Sequence, residues 1–545
     1  MIDPTQAAGN GRRPSLSPAL LNALVATWLL ALCNATFWGH LFRIFAGRTV
    51  TALVFAGAVW ALLLLVISLL ALRRMQKPVL VALLMIAGVS SYYVDVLGVV
   101  IDREMIQNAM TTTFAESKHL ITPQFLAHVA LYGVLPSALV LWVRIRRAPA
   151  LRAAAGAGLM LALSAALVAG LLFTNLKAYS TVLRAEKELL GAVQPLAPLS
   201  GALRYARMMM KSTQVVLQPT GRDAGKGPYL STAGKPVLMV IVAGETGRAQ
   251  NWSLGGYARQ TNPELAARDI LYFPQATSCG TATATSLPCM FSPLGQADYS
   301  YEGGLSHENL LDVLSHAGFR VEWWDNNTGD KNIADRIPRR TMTAADGADF
   351  CQPECIDGVF LKALAEKAAT ITEDTVIVLH QIGSHGPSDW LRYPADREIF
   401  APACKTPELT DCTAEEIVNA YDNTIAYTDH VLAEVIDLLD GSDRVIPALY
   451  YVSDHGESLG EGGLYLHGTP YFMAPDNQTR VPMVIWMSER FRASLGLDRA
   501  CLAARTDAPV SHDNMFSTVL GMLNVTTSAR DDALDIAGAC RRGTG

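Results

Sequence analysis

The chain has 545 residues, of which 50% are hydrophobic and only 17% are charged, and its formal net charge is -6. This length exceeds what one hydrophobic core supports, so two or more domains are expected. The mild negative charge, without a basic stripe in either half, excludes nucleic acid as a partner. The hydrophobic excess is concentrated in the first 176 residues, which is typical of a membrane domain.

Five apolar stretches fill this first part. Three contain no charged residue and are long enough to cross a bilayer, and the third and fourth in chain order are weaker spans, the third being interrupted by Asp95. Arginines and lysines precede the first stretch and follow the second and the fourth, so these three regions are predicted to be cytoplasmic. The first stretch lacks a signal-peptide cleavage site and is interpreted as a retained helix. Five crossings then place the rest of the chain outside the cytoplasm. The stretches are Ala19–Gly39, Thr51–Leu72, Val79–Ile101, Phe125–Val143 and Ala153–Leu176.

The cysteines support the same location. Eight of the nine lie beyond residue 278, and six of these fall into close pairs, which is typical of disulfides in an oxidising compartment. Unpaired structural thiols are the alternative. Cys33 stands alone in an apolar stretch and is interpreted as a packing residue, and a bond between Cys501 and Cys540 is left open. The predicted pairs are Cys279 with Cys289, Cys351 with Cys355, and Cys404 with Cys412.

Three regions follow from these patterns: a membrane domain over residues 1–176, a connector with interfacial helices over 177–235, and an outer domain over 236–545. In the outer domain, short apolar runs alternate with amphipathic helical segments, which predicts an α/β fold with a largely parallel sheet. The apolar runs, predicted to be strands covered on both faces, are PVLMVIVAG, FRVEWW, TVIVLHQIG, PALYYVSD and RVPMVIWM. Helices are predicted over Asn309–His316, Ala414–Leu439 and Asp513–Leu523.

Polar side chains follow three of the predicted strands, where functional groups of such sheets gather. Glu245 follows the first strand, and Asp454 with His455 follows PALYYVS. Carboxylate oxygens combined with imidazole nitrogen suit zinc better than calcium, which prefers oxygen ligands alone. For any single histidine, a hydrogen-bonded structural role is the alternative. The other histidines of this region are His380, His385 and His467.

A nucleophile is expected in the segment SCGTATATSLPCMFS, which lies between two cysteines. A hydroxyl becomes an effective nucleophile when a metal or a base lowers its pKa, and a disulfide would hold the segment in place. Spacing alone does not choose among the hydroxyls, and an ordinary stapled loop is the alternative. The hydroxyl-bearing candidates are Thr281, Thr283, Thr285 and Ser286.

Six motifs in order resemble the lipid A phosphoethanolamine transferase family, which includes the transferable polymyxin-resistance enzymes. They are VAGETGR, SCGTATATSLPCMFS, DNNTGDK, HQIGSHGP, SDHGESLGEGGLYLHGTP and SHDNMFSTVLG. The likeness covers nearly the whole chain. It implies a five-helix membrane domain in the inner membrane of a Gram-negative bacterium and an alkaline-phosphatase-like, sulfatase-superfamily domain in the periplasm. The departures noted, Asp330 and Gly462, blur the preference for an acceptor.

Carried over by position, the resemblance implies zinc ligands at Glu245, Asp454 and His455, with Thr283 as the nucleophile that completes the metal shell. One zinc ion is expected to bind tightly. Two roles remain open for His385 and His467, which transfer protons or hold a second zinc ion. The residues implied to engage the substrates are Asn108, Glu116, Asn327, Lys331, His380, His385 and His467.

The resemblance also implies a reaction. Phosphoethanolamine passes from phosphatidylethanolamine to a phosphate of lipid A through a phosphoethanolamine-threonine intermediate at Thr283, which gives resistance to cationic peptides such as polymyxin. A monomer in contact with membrane lipids is expected. The alternatives are a related phosphoethanolamine or phosphoglycerol transferase that acts on another envelope glycan, and a catalytically silent lipid-binding sensor. A sulfatase is disfavoured because the CxPxR and SxPxR patterns are absent.

Overall fold

The structure, a computed structural model, describes residues 13–71, 74–112, 117–146 and 148–542. The chain forms two compact units. One comprises Met1–Arg103 and Ile121–Ala202, and the other comprises Glu104–Leu120 and Leu203–Gly545. We call the second the outer unit. Glu104–Leu120, which we call the inter-span segment because it connects two apolar helices in the sequence, therefore groups with the outer unit.

The first unit consists of apolar helices. Among the described residues, four of its helices are long and apolar enough to cross a membrane, and a bent pair gives a fifth candidate, which agrees with the predicted number of spans. The bent pair is Pro18–Leu32 with Ala35–Ile44, at an angle of 69°. The four long helices are Thr49–Leu70, Gln76–Leu97, Pro123–Trp142 and Ala150–Phe173. Shorter helices follow over Leu176–Ala185 and Lys187–Gly191, and the next helix, Leu196–Ser212, contains the boundary between the two units after Ala202.

The break in the first span lies at Asn34, whose side chain bonds to the main chain. The sequence predicts one continuous stretch, but the side chain of Asn34 donates hydrogen bonds to the main-chain oxygens of Leu29, at 2.8 Å, and Gln194, at 3.1 Å. The same side chain accepts from the main-chain N–H of Gln194 at 2.7 Å. A short amide side chain that bonds to the backbone in this way competes with the helical ladder. The first predicted span therefore consists of two helices with a bend between them.

The outer unit is built on an eight-stranded sheet, whose order is β8-β2-β7-β6-β1-β5-β3-β4. All neighbouring strands are parallel except β7, which runs antiparallel to both β6 and β2. The prediction of a largely parallel sheet is thus confirmed. The strands are β1 Val237–Gly244, β2 Ile270–Thr277, β3 Arg320–Asp325, β4 Arg339–Thr341, β5 Thr375–His380, β6 Ile446–Ser453, β7 Arg480–Met487 and β8 Val510–Ser511.

Helices cover both faces of this sheet, which explains why its central strands are apolar throughout. Alternate residues of β1 enter two different cores, as the period of two in a strand requires. Met239 and Ile241 pack with the helices Leu310–His316 and Asp513–Met522, whereas the other face packs with Val359–Ala368 and Ala414–Asp440. Three of these helices were predicted nearly to the residue. Strand β2 was not predicted, because its side chains are mostly half-buried and it contains a proline.

The disulfides are those predicted, with one addition. The three expected pairs are bonded, and the pair left open, Cys501 and Cys540, is bonded as well. Cys33 is a free, buried thiol, which agrees with its interpretation as a packing residue. The outer unit therefore contains four covalent cross-links.

Candidate active site

The candidate site lies where the carboxyl ends of four neighbouring strands meet. Glu245 directly follows β1, and Asp454 and His455 follow β6, which pairs with β1 along its whole length. On the other side of β1, β5 ends in His380, which lies opposite Asp325 at the end of β3. Because these strands are parallel, their ends and the residues beyond them gather at one edge of the sheet.

The centre of the site is a compact group of four buried side chains. The hydroxyl oxygen of Thr283 lies 3.1 and 3.2 Å from the two carboxylate oxygens of Glu245 and 3.2 Å from Nε2 of His455. The same His455 nitrogen lies 3.3 Å from Oε1 of Glu245 and 3.3 Å from Oδ2 of Asp454. The residues predicted as nucleophile and metal ligands are therefore together.

Two observations fit a metal ion at this group. Oδ2 of Asp454 is buried and makes no hydrogen bond with any described residue. In tetrahedral zinc sites with bonds of about 2.0–2.1 Å, neighbouring ligand atoms are about 3.3 Å apart, and the four distances that link Thr283, Glu245, His455 and Asp454 are 3.1–3.3 Å. Glu245, Asp454 and His455 could thus hold a metal ion, and the Thr283 hydroxyl lies 3.1–3.2 Å from two of them.

The electrostatics of the group also favour a cation. Burial, together with the charge of Glu245, raises the pKa of Asp454 to about 6. For Glu245, burial acts in the same direction, but the hydrogen bond and charge of His455 hold its pKa well below the usual value. Burial disfavours the charged form of His455, yet Asp454 and Glu245 raise its pKa to about 10. Two carboxylates thus hold one proton on His455, and a metal ion would displace that proton.

The local structure presents Thr283 at the first position of the helix Thr283–Phe291. The Cys279–Cys289 bond closes this segment, and the hydroxyl of Ser286 donates to the main-chain oxygen of Asp454. The segment is thereby fixed to the strand end that carries two of the metal-ligand candidates.

His512, which was not predicted as part of the site, also connects the segment of Thr283 to the end of β6. Its Nδ1 accepts from the N–H of Cys279 at 3.1 Å, and its Nε2 donates to the main-chain oxygen of Ser453 at 2.9 Å. Burial lowers its pKa to about 4, so the ring is neutral and suited to accept on one nitrogen while it donates on the other. His512 belongs to the motif SHDNMFSTVLG, but no role for it was predicted from the sequence.

Asn327 connects the central group to His380. Its amide nitrogen donates to Oε2 of Glu245 at 2.8 Å and to the main-chain oxygen of Gln381 at 2.9 Å, and lies 3.2 Å from Nε2 of His380. Nδ1 of His380 is 2.7 Å from Oδ2 of Asp325. Burial disfavours the charge on both members of this pair, but each stabilises the other, so the pKa of Asp325 is lowered and that of His380 is raised. Asp325 was not predicted as part of the site.

His467 and His385 lie beside this centre. The His467 ring is 4.3 Å from the His455 ring and 5.7 Å from the His385 ring, measured between centroids. Nδ1 of His467 is 3.2 Å from a carboxylate oxygen of Glu457, another buried residue that sequence reasoning missed. The two predicted substrate-side histidines are therefore neighbours of each other and of a metal-ligand candidate.

The chain is similar to known proteins over most of its length. The chain matches the family model Sulfatase over residues 238–525 and the family model Phosphoethanolamine transferase EptA/EptB over residues 59–210. Phosphoethanolamine transferase EptA of Escherichia coli K12 is 37% identical over 97% of this chain and 98% of its own length. Phosphatidylethanolamine transferase Mcr-1 of Escherichia coli is 35% identical over 95% of this chain and 97% of its own.

A solved structure agrees over the same extent. The integral membrane protein lipooligosaccharide phosphoethanolamine transferase A from Neisseria meningitidis superimposes with a TM-score of 0.94 and 32% identity, over 97% of this chain and 100% of that one. The chain belongs to the phosphoethanolamine transferase family. It is therefore a multi-span protein of the bacterial inner membrane, with a sulfatase-like domain in the periplasm.

Three residues that were predicted to engage substrates are not part of the central group described above. The ammonium of Lys331 donates to the main-chain oxygens of Thr328, at 2.9 Å, and Thr111, at 3.2 Å. Asn108 is half-buried on the helix Arg103–Thr111 of the inter-span segment. Glu116 lies outside the described residues. The predicted contacts of these residues with a lipid remain predictions.

Proposed function

We propose that this transferase moves phosphoethanolamine from phosphatidylethanolamine to a phosphate of lipid A, in a zinc-dependent reaction with a covalent intermediate on Thr283. One observation carries the proposal: the Thr283 hydroxyl lies 3.1 Å from Glu245 and 3.2 Å from His455, in a buried group that fits a metal ion. The donor is suggested by the name of Mcr-1, a phosphatidylethanolamine transferase, and the acceptor by the name of the Neisseria protein, a lipooligosaccharide transferase.

In the first half-reaction, Oγ1 of Thr283 bonds to the phosphorus of the donor, and the bond from phosphorus to the diacylglycerol oxygen breaks. A zinc ion held by Glu245, Asp454 and His455 would supply a Lewis acid that lowers the pKa of the threonine hydroxyl. As the bond forms, the hydroxyl proton of Thr283 passes to His385 or His467, and the departing diacylglycerol oxygen takes up a proton from this pair of histidines. Diacylglycerol leaves, and phosphoethanolamine stays on Thr283.

In the second half-reaction, a phosphate oxygen of lipid A attacks the phosphorus and the bond from phosphorus to Oγ1 of Thr283 breaks. His385 or His467 supplies the proton that Oγ1 takes up, and the same pair accepts any proton that the attacking phosphate loses. Asn327 and Lys331 bind the phosphoryl oxygens, whose negative charge must be stabilised in both transition states. The product carries an added ammonium group. Lipid A modified in this way is less anionic and binds cationic peptides such as polymyxin less strongly, since that binding is electrostatic.

The test is mass spectrometry of lipid A from Gram-negative cells that express the intact chain or its Thr283→Ala variant. We expect a phosphoethanolamine addition to lipid A with the intact chain only, together with higher resistance to polymyxin. An addition to a core sugar instead would overturn the assignment of the acceptor. Unmodified envelope lipids in cells that contain the folded, membrane-inserted protein would overturn the proposed transfer.

A further inference from the structure

A network of ion pairs joins the inter-span segment to the catalytic centre through one carboxylate, that of Glu354. Its Oε1 lies 3.1 Å from Nζ of Lys118 and 3.0 Å from Nε2 of His119, both at the end of the inter-span segment. Its Oε2 lies 2.6 Å from Nη1 of Arg392. All of these residues belong to the outer unit.

Arg392 extends the network to a predicted substrate-side histidine. Its Nε donates to the main-chain oxygen of His385 at 2.9 Å, and its side chain is only 1% exposed. A buried guanidinium requires a charged or hydrogen-bonding partner, because an uncompensated buried charge is strongly unfavourable. Glu354 supplies that partner. The position of the main chain at His385 therefore depends on the charge of a residue that also holds the inter-span segment.

The environment of Glu354 keeps this carboxylate ionised and in place. Burial disfavours its charge, but Arg392, His119 and Lys118 lower its pKa to about 2. The residue sits within the short loop closed by the Cys351–Cys355 bond, and its side chain is 11% exposed. One anion thus faces cations from two separate parts of the chain.

The other end of the inter-span segment is attached near the nucleophile. The side chain of Gln107, which is 4% exposed, donates to the main-chain oxygen of Ala284 at 3.3 Å, one residue after Thr283. The main-chain oxygen of Thr111 accepts from Lys331 at 3.2 Å. The segment is therefore fixed at both ends to parts of the outer unit that carry site residues.

We propose that Glu354 is a positioning residue. It holds the inter-span segment against the catalytic centre through Lys118 and His119, and through Arg392 it fixes the main chain at His385. We call these ion pairs of Glu354 the clasp. The inference rests on the proposed function, in which His385 faces the substrate. The clasp has two separable consequences. The segment side, Lys118 and His119, affects how the lipid donor is bound, because the same segment is attached through Gln107 beside Thr283 and carries Asn108, a residue predicted to engage the lipid. The Arg392 side affects the rate of the bound complex, because it holds His385.

The experiment uses the full-length enzyme in vesicles that contain phosphatidylethanolamine, with transfer to lipid A measured as initial rates. For Glu354→Gln we expect kcat/KM to fall about tenfold, with both constants changed, since one partner of a buried ion pair is lost. For the double variant Lys118→Ala with His119→Ala we expect KM for the donor to rise about fivefold with kcat nearly unchanged, since only the more exposed pairs are lost. Asp349→Asn, a matched charge removal at an exposed position of the same region, should leave both constants unchanged.

Hydrogen exchange of residues 104–112 provides a readout independent of activity. Deuterium uptake there should increase in Glu354→Gln and in the double variant, but not in Asp349→Asn. If Glu354→Gln fails to fold, the double variant still tests the clasp, because it leaves the disulfide loop intact. Kinetics and uptake like those of the wild type in both clasp variants, alongside an inactive Thr283→Ala, would overturn the clasp alone. Full activity of Thr283→Ala would instead overturn the proposed function.

Discussion

Two groups in the outer unit contain the same side-chain types, two carboxylates and one histidine, and both could hold a metal ion by ligand type. The central group, Glu245, Asp454 and His455, is fully buried at the ends of two paired strands. Among the described residues, no lysine or arginine forms an ion pair with its carboxylates. Within the described ranges, the ion pairs of these two carboxylates are with His455, and the Thr283 hydroxyl lies 3.2 Å from its ring nitrogen.

The peripheral group, Glu264, His430 and Glu434, differs in its surroundings. Nδ1 of His430 lies 3.1 Å from Glu264, but Arg397 lies 2.9 Å from the other ring nitrogen and 3.5 Å from the same carboxylate. Glu434 is exposed to solvent. In this group Arg397 is the cation, and it already compensates the charge of the Glu264 carboxylate. The comparison teaches that burial and the lack of a protein cation, beyond ligand type, favour a metal site.

The largest expected effect is on the rate of transfer when the Thr283 hydroxyl, which belongs to the central group, is removed. Thr283→Ala should lower transfer by at least about a thousandfold, because the covalent route is lost, while zinc binding through the three other ligands is retained. Transfer from phosphatidylethanolamine is followed by mass spectrometry, and zinc is measured on the purified protein. Thr285→Ala, two residues along the same helix, is the control and should keep most of the activity. The reverse result would mean that a different hydroxyl attacks.

The second prediction compares the two histidines directly. His455→Ala should lose most of the bound zinc and essentially all transfer, because it removes the imidazole nitrogen and leaves only two protein ligands besides the weakly binding Thr283 hydroxyl, whereas Thr283→Ala leaves three protein ligands and a position that water can fill. His430→Ala should keep both zinc and transfer. The measurement is the zinc content per folded chain after dialysis against a mild chelator. Zinc loss in His430→Ala with zinc retained in His455→Ala would reverse the assignment of the metal site.

A third, smaller effect concerns the covalent support of each region. The Cys279–Cys289 bond closes the segment of Thr283, and the Cys404–Cys412 bond precedes the helix that carries His430, with sequence separations of 10 and 8. Loops of such similar length should stabilise the fold to a similar extent, about 2–3 kcal/mol each. Replacing either pair by serine should therefore lower the unfolding midpoint equally.

Transfer should respond to only one of these two replacements. We expect about a tenfold loss of rate without the Cys279–Cys289 bond, because the nucleophile is less well fixed, and little change without Cys404–Cys412. Rates are compared at a temperature where both variants are folded. Equal losses of rate in the two variants would show that the disulfides act through stability alone.

The central group could be predicted from the sequence because its determinants are local. Apolar runs such as PVLMVIVAG predict strands covered on both faces, and parallel strands place the residues that follow them at one edge. Glu245, Asp454 and His455 each follow such a run directly. The choice of Thr283 among four hydroxyls came from the family resemblance, because spacing alone does not report which hydroxyl faces the metal ligands.

The parts that could not be predicted depend on partners far apart in the chain. His512 bonds to Cys279 and Ser453, which are 233 and 59 residues away. The bend at Asn34 depends on Gln194, 160 residues away. The ion pair between Glu354 and His119 spans 235 residues, and no local pattern marks either residue. Such contacts follow from the tertiary arrangement, which periodicity and motif spacing do not specify.

The smallest predicted effect concerns Glu308, a buried carboxylate that is compensated by side chains of the protein, unlike the carboxylates of the central group. Glu308 accepts from the N–H of Thr220, from Nε of Arg222 and from Nε2 of His316, each at 3.0 Å, and its side chain is 3% exposed. Burial disfavours its charge, but these donors lower its pKa to about 2. Because this value is below the unfolded value of about 4.3, the network stabilises the fold above about pH 4.3, and the stabilisation is lost as the pH falls through about 2.

Glu308→Gln should therefore cost about 1–2 kcal/mol of unfolding free energy at pH 7, and the difference from the wild type should shrink as the pH is lowered towards 3. Urea unfolding of the full-length protein in detergent at several pH values provides the measurement. Glu434→Gln is the matched control at an exposed carboxylate of the peripheral group and should cost less than about 0.5 kcal/mol at any pH. A cost of Glu434→Gln as large as that of Glu308→Gln would mean that the peripheral group contributes to stability like a buried network, and burial would then not separate the two kinds of carboxylate.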